Sequence, residues 1–327
     1  MAIRLLQLVN VINTMKGCLV SVSENLFSEK LSTDFYDSML GDIKTPSSMN
    51  RLERITLDNV IAILNHPEQL NRHIPMLPSM LICLLDAIKN PHADIFTFID
   101  IIEKDPAFAA EVLKVANTAK YNRGDEEIIY LRSATSLLGI VGLLKIATTL
   151  LMADVIPCKP SDYKLYGRQI WVHSIQCATL CELIAKDEQK NQADGYFIGL
   201  IHDLGRIVVF NSLAETLGES FTSITPCSQP YKDLMTEMAI DMSYYIAQQW
   251  QLPSVYIEAL NQQRASSRDG LGCLLYRANR LSENYLLFIK GNINKECHQQ
   301  LQDELKINET IVDEFHQLAS VIEESTL

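Results

Sequence analysis

The chain has 327 residues, with 28 Lys and Arg against 40 Asp and Glu, a formal net charge of −12. Apolar residues make up 47% of it, enough to bury a sizeable core, which excludes a disordered chain. Aromatics at 7% and only 13 glycines are lean for a turn-rich β-sandwich or barrel, and the acidic balance excludes a dedicated nucleic-acid surface, which needs clustered Lys and Arg.

The opening segment, MAIRLLQLVNVINTMKG, has apolar residues but no small-residue cleavage site, so it is not read as a signal peptide. Residues 1–70 are expected to be a helical extension, without a motif that carries chemistry. Helical periodicity then takes over. Leu81, Leu84, Leu85 and Ile88 fall at i, i+3, i+4 and i+7, and Ile95, Phe98, Ile99 and Ile102 repeat the pattern behind Asp94, a predicted N-cap. Asp105-Pro106 is a cap followed by proline at the first helical position, where a missing N–H costs nothing. The helix it starts places Ala109, Val112, Leu113 and Ala116 on one stripe. Asn117, at its end, is expected to cap that helix or to bond across to a neighbouring loop.

The longest nearly apolar stretch runs from Ser136 to Ile156. Its length suits a membrane span, but Lys145 lies near its centre and Asp154 near its end, so a fully buried central helix is expected. Lys145 would then snorkel or meet a buried acid, and Gly139 and Gly142 would permit close helix approach. In the second half His173, Cys177, Leu180, Cys181 and Ile184 share a helical face, and Phe197, Leu200, Ile201 and Leu204 form another. After a Ser/Thr/Pro-rich stretch, a helix from about Tyr231 ends at Trp250 and Pro253 starts the next. GRIVVF could form a strand, but a lone strand has nothing to pair with. An all-α protein is predicted. The eight cysteines (18, 83, 158, 177, 181, 227, 273, 297) lack CxxC pairs and read as reduced thiols of a cytoplasmic protein. From Leu281 to Leu327 there are nine acidic and three basic residues, half of the net charge. Ile311, Phe315, Leu318 and Ile322 still make an apolar stripe there, as expected of an outer helix packed on the body with an acidic face toward solvent or a partner.

The sharpest chemical feature is His202-Asp203 in GLIHDLGRIVVF. An adjacent His and Asp at a helix bend can offer one metal ion a nitrogen and an oxygen, and His173, 29 residues upstream, could join them if the two helices pack together. The alternative is a hydrogen-bonded polar network that fixes helix packing. Cys177 and Cys181 at i, i+4 lack a second cysteine pair. Arg264, Arg268, Arg277 and Arg280 are close in sequence and either form a solvated basic face or meet a phosphate or nucleotide.

From His73 to Leu286 the chain resembles the HDOD family, the HD-related output domains of bacterial signalling proteins. The resemblance is carried by IPMLPSMLICLLDAI, IEKDPAFAAEVLKVANTAKY, LRSATSLLGIVGLLKIATTL, WVHSIQCATLCELIA, GLIHDLGRIVV and WQLP, in that order. It implies a two-lobed all-α module over 71–286, flanked by helical extensions at 1–70 and 287–327. The second lobe would derive from HD-type metal-dependent phosphohydrolases, whose ligands are a His, a His-Asp pair and a distant Asp. His173, His202 and Asp203 match the first three; the distant Asp falls at Asn279, whose neutral amide is a weaker partner for a cation. The related HD-GYP phosphodiesterases, which cleave cyclic-di-GMP, add histidines where this chain has Ala239 and Gln262-Gln263. No residue is therefore assigned a catalytic role. The resemblance implies a residual site for at most one divalent metal (Mn, Fe, Ni or Mg) in a non-enzymatic signalling module. Such a module would act on protein partners, with self-association open and no nucleic-acid or membrane partner. The alternatives are an HD-type phosphohydrolase acting on a nucleotide or phosphoester, and a nucleotide-binding regulator without hydrolysis.

Overall fold

The computed structural model describes residues 34–38 and 51–326, apart from 120, 125, 154, 156–163, 218–228 and 266. The opening segment and Cys18, Cys158 and Cys227 therefore lie outside the described residues, as does most of the Ser/Thr/Pro-rich stretch. Every regular element among the described residues is helical. Past a helical turn at 34–38 come α1 (Arg51–Asn65), α2 (Pro67–His73), α3 (Ser79–Lys89), α4 (Ile95–Glu103), α5 (Pro106–Ala116) and α6 (Leu131–Ala153). The second lobe follows with α7 (Lys164–Asp187), α8 (Gln192–Ile201), α9 (Leu204–Leu217), α10 (Gln229–Gln249), α11 (Ser254–Asn261) and α12 (Gly270–Ile289). Two further helices, α13 (Lys295–Leu305) and α14 (Glu309–Thr326), end the chain. GRIVVF is part of α9 and not a strand.

The first lobe is built as its caps dictate. Asp94 accepts from the Thr97 backbone N–H at 3.0 Å and Thr97 reciprocates, closing a capping box on α4. Asp105 accepts from the N–H groups of Ala107 and Phe108, ahead of Pro106. Leu81, Leu84, Phe98, Ile102 and Val112 are all buried where these helices meet. The Asn117 side chain both caps and crosses: its amide donates to the carbonyls of Leu113 and Ile128, and its oxygen accepts from the Ile128 N–H at 2.8 Å.

Helix α6 joins the lobes, packing on α4 and α5 on one side and on α8 on the other. Lys145 meets Glu182 of α7 in a tight ion pair and stands 4.9 Å over the Tyr196 ring of α8. Two expectations about this helix need correction. Two stretches among the described residues are long and apolar enough to cross a membrane by length and composition. The most apolar window of Leu131–Ala153 is only 39% buried, against 94% for Gln192–Thr216. Leu137 on α6 is exposed, so the helix covers its neighbours on one side only. Gly139, moreover, is no close-approach residue: a Cβ there would meet nothing within 4 Å. Its φ of 69° interrupts the helix, in a region that side-chain-bearing residues avoid.

Helices α1 and α2 pack on α9 of the second lobe; at that end Trp250 donates to the Pro75 carbonyl at 2.9 Å and Tyr245 to Asn71 at 3.2 Å. In the second lobe α8 and α7 pack face to face, with α12 and α14 also lying on α7. Cys177, Leu180, Cys181 and Ile184 are buried there, as are Phe197, Leu200 and Ile201. The described cysteines are free thiols. The C-terminal stripe packs as its spacing demands, with Ile311, Phe315 and Ile322 buried.

Candidate metal centre

The site forms where the α8–α9 bend meets α7 and α12. His202 and Asp203 are the two residues of that bend. Ser243 of α10 holds it, accepting from the Gly205 N–H at 2.9 Å and donating to the His202 carbonyl at 2.6 Å. Glycine is required at 205, because a Cβ would lie 2.0 Å from the Ala239 carbonyl oxygen. Helix α7 brings His173, fully buried, to the same point, so the two histidines and Asp203 offer donor atoms all within 4.8 Å of one another.

Asn279 of α12 completes the ring. Its Oδ1 stands 3.1 Å from His173 Nε2 and 3.0 Å from His202 Nε2. The Asp203 carboxylate lies 3.3 Å from His173 Nε2 and 3.4 Å from His202 Nε2. A first-row divalent ion with ligands at about 2.1 Å sets its donors about 3.0–3.4 Å apart, for octahedral or tetrahedral angles. The four residues suit one such ion in donor type and come near it in spacing, the two Asp203 distances belonging to its two different oxygens, while the neutral amide lowers the charge they offer it. Among the described residues no second metal-ligating cluster adjoins this one.

Hydrogen-bond partners fix the proton positions. His202 Nδ1 faces the Gly199 carbonyl at 2.7 Å and its Nε2 faces only oxygen acceptors, so both ring nitrogens carry protons. Burial opposes that charge, but Asp203, aided by the Cys177 thiol and the Gly199 carbonyl, outweighs it and pushes His202 up to about 10. His173 is different. Its Nδ1 meets the Ser282 hydroxyl at 3.2 Å, and burial, with Asp203 opposing, takes it down to about 3, so it is neutral with one proton on Nε2. Burial also works against the Asp203 charge, yet Arg206, His202 and His173 hold its carboxyl below the ordinary value.

Arg206 and Glu283 are the residues that sequence reasoning missed. Arg206 Nη1 is 3.1 Å from Asp203 Oδ2, and its Nη2 is 3.1 Å from Glu283 Oε1, all three side chains being buried. Arg206 lies three residues past Asp203, one turn along a helix, and that spacing was the available signal. Glu283 gave a fainter one, as a lone acid in the apolar run LSENYLLF.

A cavity of about 160 Å³ opens beside the centre. Arg280 lines it, as do His202, Asp203, Arg206 and Asn279. The other arginines named from sequence do not line this cavity and have partners elsewhere. Arg277 donates to the carbonyls of Leu305 and Lys306 at the end of α13 and pairs tightly with Glu188. Arg264 pairs with Asp241 at 3.1 Å, and Arg268 stacks on Tyr276. Ala239 and Gln263 line the cavity where further histidines would have to stand, and Gln263 donates instead to the carbonyls of Ala259 and Gly272.

A family model for the HDOD domain matches residues 74–266. An uncharacterized protein of Treponema pallidum (strain Nichols) is 25% identical over 193 residues, 57% of this chain, and the match spans 37% of that relative's length. The fold is similar to an HDOD domain protein with unknown function from Geobacter sulfurreducens, with a TM-score of 0.57 at 17% identity, covering 77% of this chain and 92% of that one. A "putative metal-dependent phosphohydrolase" from Shewanella amazonensis gives 0.56 at 19% identity over 82% and 99% of the two chains. A "putative signal transduction protein" from Marinobacter aquaeolei gives 0.56 at 19% over 94% and 67%.

Proposed function

This chain belongs to the HDOD domain family, and from that premise we propose that it is a non-hydrolytic signalling module that relays a state to protein partners. One observation carries the reading. The corner of the centre where a fourth ligand, the second anionic one, would stand is held by the Asn279 amide oxygen, which accepts from both His173 and His202. The resulting network is closed by the chain's own cation, since Arg206 already pairs with Asp203. A single divalent ion would be held by His173, His202, Asp203 and Asn279. Such an ion supplies Lewis acidity when bound, but Ala239 and Gln263 offer no imidazole for a second one, and the Glu283 carboxylate that also lines the cavity is paired with Arg206. His202 and His173 would each have to give up the Nε2 proton for it, so uptake competes with the hydrogen bonds just described.

The test is metal content after purification, followed by phosphodiester turnover with added Mn, Ni or Fe. The expected result is substoichiometric metal and no turnover. Stoichiometric metal that is lost in His202→Ala, together with turnover, would instead establish an HD-type phosphohydrolase. Asn279→Asp restores a carboxylate and is expected to raise affinity for the added ion at least about tenfold, measured by calorimetry.

A second reading is favoured by the cavity itself. Together with their carboxylate partners Asp203 and Glu283, Arg206 and Arg280 line a space large enough for a phosphoryl-sized group, so a nucleotide or phosphoester bound there without hydrolysis would compete with those carboxylates for the two guanidinium groups. It predicts thermal stabilisation by a ligand panel with no product formed.

A further inference from the structure

Arg206 is a cation shared between the α8–α9 bend and α12. Its Nη1 is 3.1 Å from Asp203 Oδ2 and its Nη2 is 3.1 Å from Glu283 Oε1. Asp203 already belongs to the candidate metal centre, so the guanidinium and a bound ion would have one ligand in common. Asp203 Oδ2 is buried and makes no hydrogen bond, so its link to Arg206 is one of charge. Both carboxylates line the cavity, at 4% and 2% exposure. Aromatic rings keep the cation in place: the guanidinium lies 4.7 Å from the centre of the Phe35 ring and 5.1 Å from that of Tyr36. Ring faces attract a guanidinium but offer no ligand to a divalent ion.

We propose that Arg206 is a resident second cation of the centre: it takes the place, between Asp203 and Glu283, that a second divalent ion would need, and so limits the centre to one ion. Two buried carboxylates on one cavity must be met by a cation or by protons. In binuclear sites a metal ion meets them; here a side chain of the same chain does. Arg280 is the more distant partner, its Nη1 3.9 Å from Glu283 Oε2. Without the Arg206 guanidinium, Asp203 and Glu283 would face the cavity as oxygen donors, with room beside them for an ion that keeps some of its water. Ala239 and Gln263 take imidazole ligands away from this cavity, and Arg206 takes away the need for the ion itself. The proposal rests on His173, His202 and Asp203 being a metal centre. It deepens the non-hydrolytic reading, because it concerns how many ions bind and not what they turn over.

Manganese binding to the full chain is measured by equilibrium dialysis, with melting temperatures alongside, for wild type and three variants. At saturating Mn, Arg206→Ala is expected to bind about one ion per chain more than wild type, with the EPR signature of two spin-coupled Mn ions. Arg206→Ala with Glu283→Gln should lose that extra ion, and Arg206→Lys, which keeps the charge, should bind as wild type does. Because the lost cation also weakens the fold, Mn should raise the melting temperature of Arg206→Ala more than that of wild type. A purely structural arginine would leave the Mn response unchanged. Extra Mn that persists without Glu283, or an Arg206→Ala chain that Mn neither fills nor stabilises beyond wild type, overturns the proposal. Turnover by the wild-type chain would refute the non-hydrolytic reading without changing this count, so the two fail separately.

Discussion

The buried charges of this protein are stabilised in pairs, and single substitutions test each pair. Arg206 bridges Asp203 and Glu283, all three buried at the edge of the cavity. Arg206→Met removes the cation that joins these two buried carboxylates, leaving only the charge of His202 beside Asp203 and a longer contact from Arg280 to Glu283, and is expected to cost about 3–5 kcal/mol in denaturant unfolding. A second histidine pair, remote from the centre, has a pH signature. His298 Nε2 stands 3.1 Å from His316 Nε2, while its Nδ1 bonds tightly to Asn284 and its ring stacks on Phe288. Burial, reinforced by the neighbouring His316, pushes His298 down to about 4 from an ordinary 6.5. A depressed histidine favours the neutral form in the fold. Its contribution is therefore complete above pH 6.5 and is lost as pH falls toward 4. His298→Gln should flatten that part of the difference between denaturation midpoints at pH 7.5 and 4.5.

At the level of helices, two glycines act for opposite reasons. Gly205 lets α9 press its backbone onto α10, and a Cβ there meets the Ala239 carbonyl at 2.0 Å and the Ser243 nitrogen at 2.4 Å. Neither backbone atom can turn aside, so Gly205→Ala should destabilise by about 3 kcal/mol and shift the bend that presents His202 and Asp203. Gly139 has open space around it and a φ of 69°. The cost of Gly139→Ala is thus conformational, about 1–3 kcal/mol. Melting temperatures separate the cases when combined with metal or ligand binding, since only the first substitution reaches the centre. Helix α6 also shows where hydropathy misleads. Its residues are apolar on several sides, but only part of that surface is covered, by α3, α4, α5 and α8.

For the molecule as a whole, the acidic C-terminal segment is first of all packing. Helix α14 runs along α7, burying Phe315 and Ile322, and Glu323 accepts from Gln176 at 3.0 Å. The helix that carries His173 is thereby supported from outside the family-matched region. Deleting residues after Gly291 exposes several apolar side chains at about 1.5–3 kcal/mol each, comparable with the whole stability of a domain. The truncated chain is expected to lose its cooperative unfolding transition. An intact transition would leave the tail as contact surface only. Its acids Asp313 and Glu314 are exposed.

What the sequence determined by itself was whatever depends on neighbours along the chain. Apolar spacing gave the helical class and the buried faces, and Asp94 and Asp105 announced the helix starts they cap. His173, His202 and Asp203 stood out because histidines on apolar faces and a His-Asp pair are unusual side chains for their positions. Only the tertiary structure decided which of the later arginines face the cavity, since Arg277 and Arg280 are three residues apart yet serve different neighbours. The same holds for the bond between Arg206 and Glu283, 77 residues apart, and for the turn at 34–38, which nothing in its composition marked. Periodicity assigns a side chain to a face, but the partner across that face is set by how helices pack. Buried charges, whose cost depends entirely on their partners, are for that reason the last features a sequence discloses.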